Sequence, residues 1–156
     1  MSTRFMLNET SYFGRGAREE LAGELKKRNF KKVFLVSDKA LVSAGVAAKV
    51  EEVLNKIGIP YDLYDEIKPN PTIKNVLDGV EACKNAGADV LVAVGGGSSI
   101  DTAKGISIVM TNPDRADIKS LNGLSNTKNR AMPVIALPTT AGTASEVTIN
   151  YVITDE

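Results

Sequence analysis

One stretch constrains this chain more than any other: DVLVAVGGGSSIDTAKGIS, from Asp89 to Ser107. An apolar run, Val90 to Val94, breaks into Gly95, Gly96 and Gly97 and passes at once into a helical pattern. A buried strand running through glycines into a helix has few uses. Three glycines leave no Cβ between the backbone and whatever approaches it. The amides of Gly97, Ser98 and Ser99 then open a helix, and that end carries a partial positive charge suited to phosphate. The Ser98 hydroxyl adds a further donor. Asp101, three residues on, either caps the helix start or accepts a hydrogen bond from a ligand amide or hydroxyl. A tight turn under close packing is the purely structural alternative for the glycines. The spacing is not the dinucleotide fingerprint G-x-G-x-x-G, because Ile100 occupies the third glycine position.

The remaining pattern alternates short apolar runs with amphipathic stretches. Val33, Phe34, Leu35 and Val36 form a run suited to a strand covered on both faces. Val46, Val50, Val53, Leu54 and Ile57 form one helical stripe that Gly58 stops. IPYDLYDEI predicts a weaker strand. Pro71 suits the first turn of a helix whose stripe is Ile73, Val76, Leu77 and Val80, and Gly87 ends it. The helix after the glycines runs from Ser98 to about Thr111. MPVIALPTT predicts another buried strand, and EVTINYVIT a last β segment. Strands alternating with helices imply an α/β fold: a doubly wound, mostly parallel sheet with helices on both faces, Rossmann-like in kind.

In such sheets a ligand sits outside the carboxyl ends of the strands. The residues expected there are Ser37 and Asp38, then Gly95 to Ser98, then Thr139, Thr140, Ala141, Gly142 and Thr143, with Asn70 on the same rim. Small residues, hydroxyls and a carboxylate suit a polyhydroxylated, phosphorylated ligand. Asp38 can accept hydrogen bonds from a ribose diol and would repel a 2′-phosphate. A unit-charge pair at about 4 Å is worth roughly 4 kcal/mol at an effective dielectric of about 20, before solvent screening. That favours NAD over NADP. A capping or turn role for Asp38 is the alternative. Thr143 and Glu146 also fit a capping box, alongside the hydroxyl cluster of Thr139, Thr140 and Thr143. Cys83 falls in the helix stripe region, as a core or boundary residue, and Lys104 reads as a solvated or pairing lysine.

Composition narrows the chemistry further. The chain has 156 residues and no histidine, which removes Ser-His-Asp and Cys-His catalysis and histidine metal sites within it. One cysteine removes a disulfide framework and a thiolate metal site. Lys and Arg total 19, as do Asp and Glu, so nothing favours nucleic acid or an anionic membrane as partner. No apolar run approaches a membrane span, and the opening MSTRFMLNET lacks the apolar core of a signal peptide. A reducing cytoplasm is the expected compartment.

With these residues in view, GGGSSIDTAK resembles the G-G-G-S-x-x-D-x-x-K signature of the iron-dependent, group III alcohol dehydrogenases. PNPT, PTTAGTASEVT and LNETSYFGRGA resemble the same family in order and spacing, from Leu7 to Glu156. LNETSYFGRGA, SLNGLS and EVTINYVITDE are most similar to its members of the lactaldehyde and 1,2-propanediol type. The resemblance implies an N-terminal dinucleotide-binding domain, here residues 1–156, of a longer two-domain enzyme. Its all-helical second domain would supply an aspartate and three histidines to Fe²⁺ or Zn²⁺, and is absent from this sequence.

By the same resemblance Asp38 would meet the adenosine ribose, and Asn70 would lie near the cofactor. Gly96, Gly97 and Ser98 would hold the pyrophosphate. Asp101 would face the nicotinamide amide. Thr139, Thr140 and Thr143 would line the adenine and phosphate side, and Asn150 would approach the nicotinamide or substrate. The full-length protein would be a homodimer acting on a small alcohol or diol and its aldehyde, and this piece alone would be inactive. Two other outcomes stay open: a non-catalytic nucleotide- or phosphate-binding module, and the cofactor half of a dehydroquinate synthase-like enzyme.

Overall fold

The structure is a computed structural model and describes residues 9–116, 127–148 and 151–154. Among these residues four strands form one sheet: β1 (Val33–Val36), β2 (Tyr61–Tyr64), β3 (Val90–Gly95) and β4 (Val134–Pro138). Their spatial order is β2-β1-β3-β4, and every pairing is parallel. Among the described residues five α-helices connect or flank them: α1 (Glu20–Lys27), α2 (Lys39–Ser43), α3 (Ala48–Ile57), α4 (Ile73–Ala86) and α5 (Gly97–Thr111). The α/β, doubly wound architecture expected from the sequence is the one observed.

Side chains alternate across a strand, and here the alternation divides the interior in two. Phe34, Val36, Leu91 and Ala93 point to one face, where Val76, Val80 and Cys83 of α4 and Ile100, Ala103, Ile106 and Val109 of α5 cover them. Val33, Leu35, Val90, Val92 and Val94 point to the other face, against Leu21 and Leu25 of α1 and Val50, Val53 and Leu54 of α3. The central strands β1 and β3 are buried along their whole length, which explains their unbroken apolar sequence. Helix α5 is buried around most of its circumference, because it packs against α4 as well as the sheet.

Several local expectations need correction. Pro71 is not in the first turn of α4. It lies one residue before the cap Thr72, whose hydroxyl accepts from the Asn75 amide while the Asn75 side chain accepts from the Thr72 amide. Leu77 is 37% exposed, at the edge of the α4 stripe. Strand β4 is half-buried rather than buried, because among the described residues only β3 pairs with it. The EVTINYVIT segment shows no extended strand among its described residues. Residues 145–147 form a turn, and Thr154 makes a single parallel bridge to Thr72. That turn also replaces the expected capping box at Thr143 and Glu146, since Ala144 sits in the left-handed region at φ 55° instead of opening a helix.

Two helices had no expectation. In α1, Leu21 and Leu25 are one turn apart and buried, while Glu24 takes hydrogen bonds from the Tyr12 hydroxyl at 2.8 Å and Arg28 Nε at 3.0 Å. In α2, five residues are held by Asp38, whose Oδ1 accepts from the Leu41 amide at 2.9 Å.

Candidate functional site

The chain runs from β1 to β2 on one side, then crosses to place β3 on the other side of β1. The carboxyl ends of β1 and β3 therefore flank the topological switch point, where open α/β sheets form a crevice. The loops that leave those two ends are Ser37-Asp38 and Gly95-Gly96-Gly97, the pair singled out by sequence. Ser37 ties them together: it is fully buried, and its hydroxyl donates to the Val94 carbonyl at 3.0 Å. The end of β4 is tied in the same way, through the Thr139 amide and the Gly95 carbonyl at 2.9 Å.

The glycines are closely approached, Gly95 most of all. Gly95 has φ +156°, and a Cβ there would lie 2.3 Å from Ser99 Oγ. A Cβ on Gly96 would lie 3.0 Å from Thr140 Oγ1, and one on Gly97 3.2 Å from Ser145 Oγ and 3.7 Å from the Thr143 side chain. The glycine turn and the 139–145 loop are thus one surface. Gly96 caps α5, and no side chain caps that helix start. Its first amides face the turn, as an anion site needs. Thr139, Thr140 and Thr143 are exposed beside it, and Asp38 is half-exposed across the switch point.

Asp101 does not cap α5. It is 7% exposed, and its Oδ2 accepts from the Val152 amide at 3.1 Å. Its Oδ1 is buried and makes no hydrogen bond among the described residues. Lys104 Nζ lies 3.7 Å from that oxygen and 3.3 Å from Thr148 Oγ1. Burial holds the Lys104 pKa below the usual lysine value, opposed in part by the carboxylates of Asp101 and Glu146. Asn70 is exposed, with φ 51°, in the loop that leads from β2 to α4. That loop meets the C-terminal segment, since the Thr154 amide donates to the Pro71 carbonyl at 2.8 Å and the Ile73 amide to the Thr154 carbonyl at 3.2 Å. Asn150 lies outside the described residues.

The structure thus joins the glycine turn with Thr140 and Thr143, and places Asp38 at the facing strand end. Asp101 and Asn70 stand along the same rim. Sequence reasoning named Ser99 only for its amide and Ser37 only as a rim residue; it missed the Ser99 hydroxyl packed against the turn, the Ser37 tie, and Ser145 altogether. Serine next to a glycine run was the available signal for Ser99; Ser145 had none. Among the described residues no group of three or more His, Cys, Asp or Glu is placed to hold a metal ion. Cys83 is fully buried, and its thiol is pushed up to about 11.

Known proteins resemble this chain in sequence and in fold. Lactaldehyde reductase of Escherichia coli (strain K12) is 52% identical over 156 residues, covering all of this chain and 41% of that protein. The solved alcohol dehydrogenase from Oenococcus oeni superposes with a TM-score of 0.93 at 38% identity, over 99% of this chain and 40% of its own. A sulfoacetaldehyde reductase from Bifidobacterium kashiwanohense, solved in complex with NAD⁺, superposes at 0.87 with 26% identity, over 99% and 40%. The chain thus spans about two fifths of the length of these relatives. Residues 8–156 match the iron-containing alcohol dehydrogenase family, and the chain belongs to it.

Proposed function

We propose that this chain is the NAD-binding part of a dehydrogenase that interconverts a small alcohol or diol with its aldehyde. The single observation that carries the proposal is the uncapped start of α5 at the switch point, opened by glycines that a Cβ would fill. The NAD⁺ complex of a structural relative supports the cofactor, and the likeness to a lactaldehyde reductase supports a small diol as the substrate class.

The residues divide the cofactor between them. The amides of Gly97 and Ser98 take the pyrophosphate, with hydroxyls of Thr140 and Thr143 alongside. Asp38 keeps one carboxylate oxygen on the Leu41 amide and offers the other to a ribose diol. Its charge disfavours a 2′-phosphate there. Asp101 Oδ1, buried and without a hydrogen bond, is an acceptor for the carboxamide of the nicotinamide. Thr139, Asn70 and Asn150 complete the rim. When bound, NAD supplies the hydride acceptor, and this chain's task is to hold and orient it. The described residues hold no donor set for iron, and the role proposed for them is cofactor binding.

Calorimetric titration of the chain with NADH and with NADPH tests the assignment. Tighter binding of NADH is expected. Equal binding of both, or a preference for NADPH, overturns the role given to Asp38; binding of neither by the folded chain overturns the cofactor assignment for this chain. Turnover of 1,2-propanediol by the isolated chain with Fe²⁺ or Zn²⁺ would contradict its restriction to cofactor binding.

A further inference from the structure

Lys104 stands where two parts of the site meet. Its side chain is 15% exposed, and that of its partner Asp101 10%. The ammonium is 3.7 Å from Asp101 Oδ1 on its own helix and 3.3 Å from Thr148 Oγ1 in the C-terminal segment. Asp101 reaches the same segment through its other oxygen, at the Val152 amide. At Thr154 the segment is fixed again, by two backbone hydrogen bonds to Pro71 and Ile73. Thr148 and residues 151–154 therefore act as a strap between α5 and the start of α4, held to α5 by Lys104 at Thr148 and by Asp101 at Val152.

Burying a lysine this far costs free energy unless its charge is answered. Two carboxylates answer it, Asp101 and Glu146. Each keeps one buried oxygen without a hydrogen bond among the described residues, Asp101 Oδ1 and Glu146 Oε2. Lys104 Nζ stands 3.7 Å from Asp101 Oδ1, which leaves that oxygen open to another donor.

We propose, resting on the NAD assignment above, that Lys104 is a positioning residue for the nicotinamide end of the cofactor. Through its charge it aims Asp101 Oδ1, and through Thr148 it fixes the strap that Asp101 holds by its other oxygen. The glycine turn anchors the phosphates independently of this pair.

ADP-ribose, which carries the phosphates and riboses but no nicotinamide, separates the two ends. Lys104→Met should weaken NADH binding by about tenfold and leave ADP-ribose within about twofold, with Lys104→Arg recovering part of the loss. A merely structural role would weaken both ligands together, and that result, or no effect on either, overturns the proposal. Amide hydrogen exchange at Val152 gives a readout without ligand. Exchange there should quicken by about tenfold in Lys104→Met while β1 and β3 keep their protection. If the wild-type chain binds neither ligand, the cofactor assignment fails for this chain and the exchange result decides whether Lys104 holds the strap. Unchanged exchange at Val152 overturns the role.

Discussion

Gly96 and Thr140 are so close that a Cβ on the first would sit 3.0 Å from Oγ1 of the second. The φ of Gly96 is −81°, which any residue adopts, so space and not backbone strain demands glycine here. Gly96→Ala should push Thr140 and its loop outward and weaken NADH binding by about tenfold, with little change in thermal stability. Calorimetry and a thermal melt on the same preparation check both halves of the statement. Unaltered affinity would mean that the two loops do not share a ligand.

Asp38 caps α2 at Leu41 and is proposed to read the ribose, and substitution can separate the two. Asparagine caps a helix about as well as aspartate, so Asp38→Asn should leave stability unchanged within about 0.5 kcal/mol. It removes the charge, and the preference for NADH over NADPH should narrow by several-fold, about tenfold at most. Asp38→Ala should narrow the preference and also cost about 1 kcal/mol of stability by freeing the Leu41 amide. Denaturant melts alongside paired titrations distinguish the two variants.

Thr72 begins α4 with a reciprocal cap to Asn75. Thr72→Ala should destabilise the fold by about 1 kcal/mol, and Thr72→Ser by less. Urea unfolding measures the difference. The same change should loosen the strap at Thr154, which pairs with the backbone on both sides of Thr72, so exchange of the Thr154 amide should rise with it.

Cys83 gives a dependence on alkaline pH. Burial raises its thiol from 9.0 to about 11 in the folded state. The unfolded chain therefore loses this proton first. The stability from Cys83 is complete below pH 9.0 and is lost as pH rises towards about 11. Burial raises Tyr64 and Tyr151 in the same sense. Cys83→Ala should flatten the decline between these limits, measured by urea melts across the range. A thiol reagent at pH 8 should leave the native chain unmodified and label it in denaturant.

The sequence was most legible where one periodicity ruled a whole element. β1, β3, α3 and α4 follow from unbroken apolar runs or single stripes, and α5 and the position of the rim follow from the glycine turn after β3. Legibility failed where contacts distant in sequence decide. Helix α2 is too short to show a stripe and depends on one cap. In α1 a glutamate is buried because Tyr12 and Arg28 satisfy it, which periodicity reads as a solvated residue. The EVTINYVIT run has strand composition, yet its described part is a turn and a strap, because Val152 gives its amide to a carboxylate on α5 instead of a neighbouring strand. Asp101 was legible as a candidate, but its partner lies 51 residues away.

The sheet acts as a partition. The residues packed by α4 and α5 and those packed by α1 and α3 form two sets with no member in common. Changes in α1 or α3 and changes in α4 or α5 are separated by the sheet and should combine additively. The face under α4 and α5 also carries the glycine turn and the strap, so volume changes there reach the ligand rim directly. The face under α1 and α3 is the part of the molecule free to vary while the site keeps its shape.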